Sequence, residues 1–185
     1  MREFRIHGRG GQGSVVTAEL IADSAFRNNF EAQAFPDLGG GGERRGAPVV
    51  AFARVSEKPV RKKCAVENPD YVIIQDVSLI GVVDLLEGIK KEGKILINTE
   101  EDVENLALDI EENIDTYTFP ATKVALEVLE KPIMNTAMLG ALCNISEEID
   151  PNSMQNSVRN KFPGGIGEKN AEAVEEAFKR AQKLF

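Results

Sequence analysis

Six residues near the start of the chain, Gly8-Arg9-Gly10-Gly11-Gln12-Gly13, constrain its fold more than any other stretch. They lie between an apolar run at residues 4–6 and a helical pattern that opens at Ser14. Glycines at this spacing let a chain turn sharply out of a strand and bring its backbone close to a ligand. The unpaired N–H groups of the following helix, backed by its dipole, then face whatever sits above the turn. Such a turn can seat a phosphate or a carboxylate. The bland alternative is a tight strand-to-helix turn that holds nothing.

The surrounding pattern supports a strand–helix–strand reading. Residues 2–7 read as a strand and residues 14–27 as a helix, with Val16, Leu20, Ile21 and Ala25 on its inner stripe. Residues 30–35 read as a second strand, which would close a βαβ unit. A dinucleotide site would want an acid at the end of that strand to hold a ribose hydroxyl. Here the strand ends Gln33-Ala34-Phe35-Pro36; Asp37 follows a proline and Glu31 comes too early. This weakens the case for NAD or FAD and leaves other phosphate-bearing ligands open.

Four consecutive glycines, Gly39 to Gly42, follow, and then Glu43-Arg44-Arg45-Gly46-Ala47-Pro48. The expectation is a mobile tether carrying two arginines whose forks suit phosphate oxygens. The plainer reading is an exposed pair bonded to nearby carbonyls. Residues 49–55 alternate in part and suggest an edge hairpin in which Val60-Arg61 pairs back.

Further along, strands are expected at residues 71–74, 94–97 and 114–119. Helices are expected at 79–91, with Val82, Val83, Leu86 and Ile89 inward, and at 101–108, a short acidic one. The C-terminal third reads as four helices, at 123–129, 136–143, 151–160 and 169–184, with a flexible joint at 162–167. Alternating strands and helices imply one α/β domain, residues 1–185, with a mainly parallel sheet, helices on both faces and the ligand crevice at the strand ends.

Net charge is −8, which argues against nonspecific nucleic-acid binding. Between residues 43 and 63, however, Arg44, Arg45, Arg54, Lys58, Arg61, Lys62 and Lys63 face only Glu43 and Glu57. A basic island on an acidic chain suggests a particular anion or an acidic partner surface; a solvated hairpin is the alternative. No apolar run is long enough to span a membrane, and residues 1–5 carry no leader-like apolar segment, so a cytoplasmic protein is expected. Cys64 and Cys143 form no CxxC pair, and both are expected to be reduced, buried and structural.

Taken together, Gly8-Arg9-Gly10-Gly11-Gln12-Gly13, Gln33-Ala34-Phe35-Pro36, Glu43-Arg44-Arg45-Gly46-Ala47-Pro48, Val66-Glu67-Asn68-Pro69-Asp70 and Asn135-Thr136-Ala137-Met138-Leu139-Gly140-Ala141 resemble the gamma subunit of 2-oxoacid:ferredoxin oxidoreductases. The combination of the second and third segments is similar to the pyruvate and 2-ketoisovalerate branch. The resemblance implies a Rossmann-like domain in a complex that oxidatively decarboxylates a 2-oxoacid, forms an acyl-coenzyme A and reduces ferredoxin. It implies alpha, beta and delta-type partner subunits that carry thiamine diphosphate and iron–sulfur clusters. It also implies that this chain helps hold coenzyme A, through Gly8, Gly10, Gly11, Gln12, Gly13, Arg44 and Arg45. The loop between Pro36 and Glu43 carries extra glycines relative to the family pattern.

No residue reads as a stand-alone catalyst or as a metal ligand. His7, the only histidine, is expected to be satisfied by local backbone, and Asp76 to act as a cap or subunit contact. An independent NAD(P)- or flavin-binding reductase and a purely structural scaffold are the competing readings.

Overall fold

A computed structural model describes residues 1–37, 44–62 and 64–185. In chain order the elements are β1 (Arg2–Arg9), α1 (Ser14–Arg27), β2 (Glu31–Asp37), β3 (Pro48–Ser56), β4 (Tyr71–Ile74), β5 (Lys94–Asn98) and β6 (Asp115–Phe119). Four helices complete the chain: α2 (Ala121–Leu129), α3 (Asn135–Ile145), α4 (Pro151–Lys161) and α5 (Gly165–Ala181). The six strands form one sheet in the order β2-β3-β1-β4-β5-β6. β1, β4, β5 and β6 are parallel neighbours, whereas β3 runs antiparallel to both β1 and β2. A single strand is therefore reversed, and it lies inside the sheet.

This placement corrects two expectations. The crossover through α1 does not bring β2 beside β1, because β3 occupies that position; the βαβ unit is split. Nor is β3 the edge of a hairpin with Val60-Arg61, which lie outside any strand. Arg54, counted in the basic island, is fully buried. Its Nε donates to Glu3 Oε1 at 2.9 Å, its other nitrogens donate to the Lys62 and Ala65 carbonyls, and its guanidinium stands 5.1 Å from the Phe35 ring centre. The basic island is thus not one patch. Arg54 is a structural ion pair, while Arg44, Arg45, Lys58, Arg61 and Lys62 are exposed.

One face of the sheet, with Phe4, Ile6, Ala51, Ala53, Ile73, Leu96 and Phe119, packs against the long helices. All of α1 from Leu20 to Ala25 that points inward joins this core, and nearly every residue of α3 is buried in it. α4 starts where the Asp150 carboxylate accepts the Ser153 amide at 2.8 Å, with Pro151 in the first turn. The α/β class, the mainly parallel sheet and the helical C-terminal third agree with expectation. The fourth helix starts earlier than expected, directly after Gly164, so the joint is only a short turn.

The other face carries a smaller core of Val72, Ile74, Leu79, Leu85, Ile95 and Ile97. Regular helices were expected over it, but it is covered by two 3-10 turns, Val77–Leu79 and Val103–Asn105, and by irregular chain. The apolar spacing at residues 79–91 fits a helix, yet Gly81 and Gly88 take left-handed φ values of 76° and 66° and interrupt it. Val82 consequently points out, 59% exposed, and Leu85 takes the inward place. At 101–108 a run of acids without basic partners four residues on gives a helix little support. Of the two cysteines, both free, Cys143 is buried as expected and Cys64 is exposed, which was not. No described helix is long and apolar enough to cross a membrane.

Candidate functional site

The reversed strand determines what meets the glycine turn. Because β3 runs against β1, its first residue, Pro48, pairs with Arg9, the last residue of β1. The residues just before β3 must then arrive beside the turn. The Gly10 amide donates to the Ala47 carbonyl at 2.8 Å, and the Gly46 amide donates to the Gly10 carbonyl at 3.0 Å. Arg44 and Arg45 are therefore held beside the glycine turn, with exposed side chains; the expected tether, Gly39 to Gly42, lies outside the described residues. A Cβ at Gly10 would overlap the Arg44 carbonyl, and one at Gly11 would lie 3.7 Å from Arg45 Cγ. Glycine at position 10 is what allows the two backbones to meet.

The turn itself is braced from below. Gln12 Oε1 accepts the Arg9 amide at 2.7 Å, and Gln12 Nε2 donates to Asp76 Oδ2 at 2.6 Å. The Arg9 guanidinium donates to Ser78 Oγ, to the Ser78 carbonyl and to the Gly46 carbonyl, and lies 3.6 Å from Asp76. Burial works against the Asp76 charge, but hydrogen bonds from Ser78 and Gln12 and the nearby Arg9 hold its carboxyl below the usual range. Asp76 caps the Val77–Leu79 turn, as one of its expected roles had it. Ser14 Oγ donates to Gln75 Oε1 at 2.7 Å, and Gln75 Nε2 donates to Thr17 Oγ1 at 2.9 Å. That pair passes over Gly8, where any side chain would collide with Ser14 and Gln75.

Helix α1 begins after Gly13, whose φ of 77° suits glycine, and no side chain among the described residues caps its first turn. The first residue of α3 comes to the same place: Asn135 Nδ2 donates to the Gly13 carbonyl at 3.0 Å. Its Oδ1 is buried and has no partner among the described residues. The site therefore offers an uncapped helix N-terminus, two exposed guanidiniums and one orphan acceptor. An anion with an N–H group near it would satisfy all three. The sequence reading quoted Arg9 and Asn135 only as motif members; their roles depend on partners 69 and 122 positions away, which no local pattern shows.

One expectation fails here, and one agrees. His7 is not satisfied by local backbone: it is 4% exposed, and neither ring nitrogen has a hydrogen-bond partner among the described residues. It also points to the second face of the sheet, away from α1. Asp37, the nearest equivalent of a ribose-binding acid, lies at the end of β2 and lines the same second-face cavity as His7. With β3 intervening, the end of β2 stands two strand spacings, about 10 Å, from β1. A dinucleotide ribose over the glycine turn would therefore not meet Asp37.

Residues 3–180 match the family model described as pyruvate ferredoxin/flavodoxin oxidoreductase. The chain is 43% identical over 185 residues to the pyruvate synthase subunit PorC of Methanocaldococcus jannaschii, covering 100% of this chain and 99% of that one. It superposes on the crystal structure of pyruvate oxidoreductase subunit PORC from Thermotoga maritima with a TM-score of 0.83 at 30% identity, covering 96% and 95% of the two chains. The fold also recurs, at a TM-score of 0.79 and 20% identity, in 2-oxoglutarate:ferredoxin oxidoreductase from Magnetococcus marinus, solved with 2-oxoglutarate, coenzyme A and succinyl-CoA bound. There it covers 100% of this chain and 31% of that one. The chain belongs to the pyruvate ferredoxin/flavodoxin oxidoreductase family, as a gamma-type subunit.

Proposed function

We propose that this chain seats coenzyme A in a 2-oxoacid:ferredoxin oxidoreductase whose 2-oxoacid is pyruvate. The observation that carries the reading is the pair of backbone bonds joining Gly10 to Ala47 and Gly46, which sets Arg44 and Arg45 beside an uncapped helix N-terminus. A nucleotide diphosphate suits that arrangement: the amides of the first turn of α1 meet its oxygens from one side and the guanidiniums from the other. Gly11 and Gly13 form the surface of the seat. Gly8, Gly10, Gln12, Arg9 and Asp76 hold its shape. Asn135 Oδ1 accepts an N–H of the ligand.

Nothing in this assignment makes the chain a catalyst alone. Decarboxylation needs thiamine diphosphate and electron transfer needs iron–sulfur clusters, which we place on the alpha, beta and delta-type partners. A cluster takes about four thiolates, and this chain has two cysteines far apart in sequence. The similarity to a pyruvate synthase subunit and to a pyruvate oxidoreductase subunit supports pyruvate as the substrate of the complex. Two unpaired cysteines fit a reducing, cytoplasmic setting.

The test is kinetic. In the assembled complex, Arg44→Ala and Arg45→Ala should each raise the KM for coenzyme A about tenfold or more, since a charge-assisted hydrogen bond contributes about 1.5–3 kcal/mol. Assembly and the KM for pyruvate should hold. An unchanged KM for coenzyme A in both variants would leave the chain a scaffold.

A further inference from the structure

On the second face of the sheet, opposite α1, lies a cavity of about 380 Å³ that the coenzyme A seat does not use. Its floor is formed by Arg5 and His7 of β1 with Val50 and Phe52 of β3. Val66 and Val83 line its walls, and four carboxylate residues, Asp37, Glu67, Asp84 and Glu87, stand around it, all of them exposed. The floor is polar in an unusual way. Arg5 is 6% exposed and its Nη2 donates to the carbonyls of Leu85 and Glu87, at 3.2 and 2.6 Å, while its Nε has no acceptor among the described residues. Neither nitrogen of His7 has a well-formed hydrogen bond among the described residues, although the Leu85 backbone lies near enough to favour its charged form.

Leaving such groups unpaired in a finished protein is costly. Burial first, and the Arg5 charge second, lower the His7 pKa to about 3, so the ring is neutral and offers one N–H and one bare nitrogen. Together with Arg5 Nε–H, the floor presents two donors and one acceptor side by side. A peptide group, or a side-chain carboxamide, matches that set: its carbonyl takes the donors and its N–H meets the bare imidazole nitrogen. A free anion leaves the acceptor unmatched and meets an acidic rim. A lone metal cation would meet Arg5. A cation on an aliphatic stem, by contrast, fits the apolar walls and the carboxylate rim together.

We propose that this cavity is the socket for a lysine- or arginine-bearing segment of a partner subunit, whose backbone amide or carboxamide engages His7 and Arg5 while its cation meets Glu67, Asp84 and Glu87. The proposal rests on the chain being one subunit of a complex, but not on its binding coenzyme A. It supplies partners for three buried polar atoms that have none among the described residues.

The experiment uses the full complex. With Glu67→Lys/Glu87→Lys, both on the exposed rim, the affinity of this chain for the remaining subunits should fall tenfold or more, and its dependence on salt should flatten. His7→Leu should weaken assembly, and His7→Gln, which keeps one donor and one acceptor, should restore part of it. A photo-reactive side chain in place of Glu67 should cross-link to a basic segment of another subunit. Undiminished affinity in the rim variant, or cross-links only within this chain or to a second copy of it, would overturn the proposal. The KM for coenzyme A, measured in whatever complex forms, should stay unchanged, which keeps this outcome separate from that of the arginine variants.

Discussion

The Gly10 amide and the Ala47 carbonyl, 37 positions apart, share a 2.8 Å hydrogen bond that joins the turn after β1 to the approach of β3. That bond exists because β3 is reversed within an otherwise parallel sheet. A conventional parallel neighbour would end, not begin, beside the glycine turn, and its preceding residues would lie at the far edge.

Replacing Gly10 tests this junction. Gly10→Ala puts a methyl group against the Arg44 carbonyl, which is backbone and cannot swing aside. The fold should survive, since the core lies elsewhere, but both junction bonds should break, at about 1 kcal/mol each. Hydrogen exchange at the Gly46 amide should accelerate roughly tenfold or more, and the KM for coenzyme A should rise with it. Retained protection at Gly46 would show that the two segments are held by something else.

Arg54 makes a second case. It is fully buried against Glu3, which Lys90 approaches at 3.6 Å. Removing Arg54 leaves the buried Glu3 with only the part-exposed Lys90 opposite it, so Arg54→Met should destabilise the chain by about 3 kcal/mol in urea unfolding. The double variant Arg54→Met/Glu3→Gln should recover part of that loss. A single variant as stable as the parent would contradict the burial of the pair.

His7 gives a pH-dependent expectation. Its folded pKa of about 3 lies below the ordinary value of 6.5, so between those limits the unfolded chain binds a proton that the folded chain refuses. The full stability contribution is present above about pH 6.5 and is lost as pH falls, at about 1.4 kcal/mol per unit. Lowering pH from 6.5 to about 5 should therefore cost the parent about 2 kcal/mol more than His7→Gln, in parallel urea titrations. Equal slopes would mean that His7 is already charged or solvated in the fold.

The parts of this structure that were legible in sequence are those set by short-range periodicity. The glycine turn, α1, the apolar runs of β4 and β5 and the C-terminal helices follow from patterns within one element. Strand order does not. Nothing in residues 48–56 says that Arg54 faces Glu3, and so an inner strand read as an outer one. The 79–91 segment shows the converse: its apolar spacing fits a helix, but Gly81 and Gly88 adopt φ values that a helix forbids. For the site, the glycines and arginines were visible as types, while their adjacency depended on the reversed strand. His7 was misjudged for the same reason, because its surroundings come from β3 and from residues 83–87, not from its neighbours in sequence.

The most direct test of the coenzyme A seat compares two acyl acceptors in the assembled complex. Coenzyme A carries the nucleotide diphosphate; pantetheine carries the thiol arm alone. With Arg44→Ala/Arg45→Ala, kcat/KM for coenzyme A should fall at least tenfold while kcat/KM for pantetheine holds, so that the preference for the nucleotide largely disappears. Equal losses for both acceptors, or none for either, would contradict a diphosphate held between the glycine turn and the two arginines.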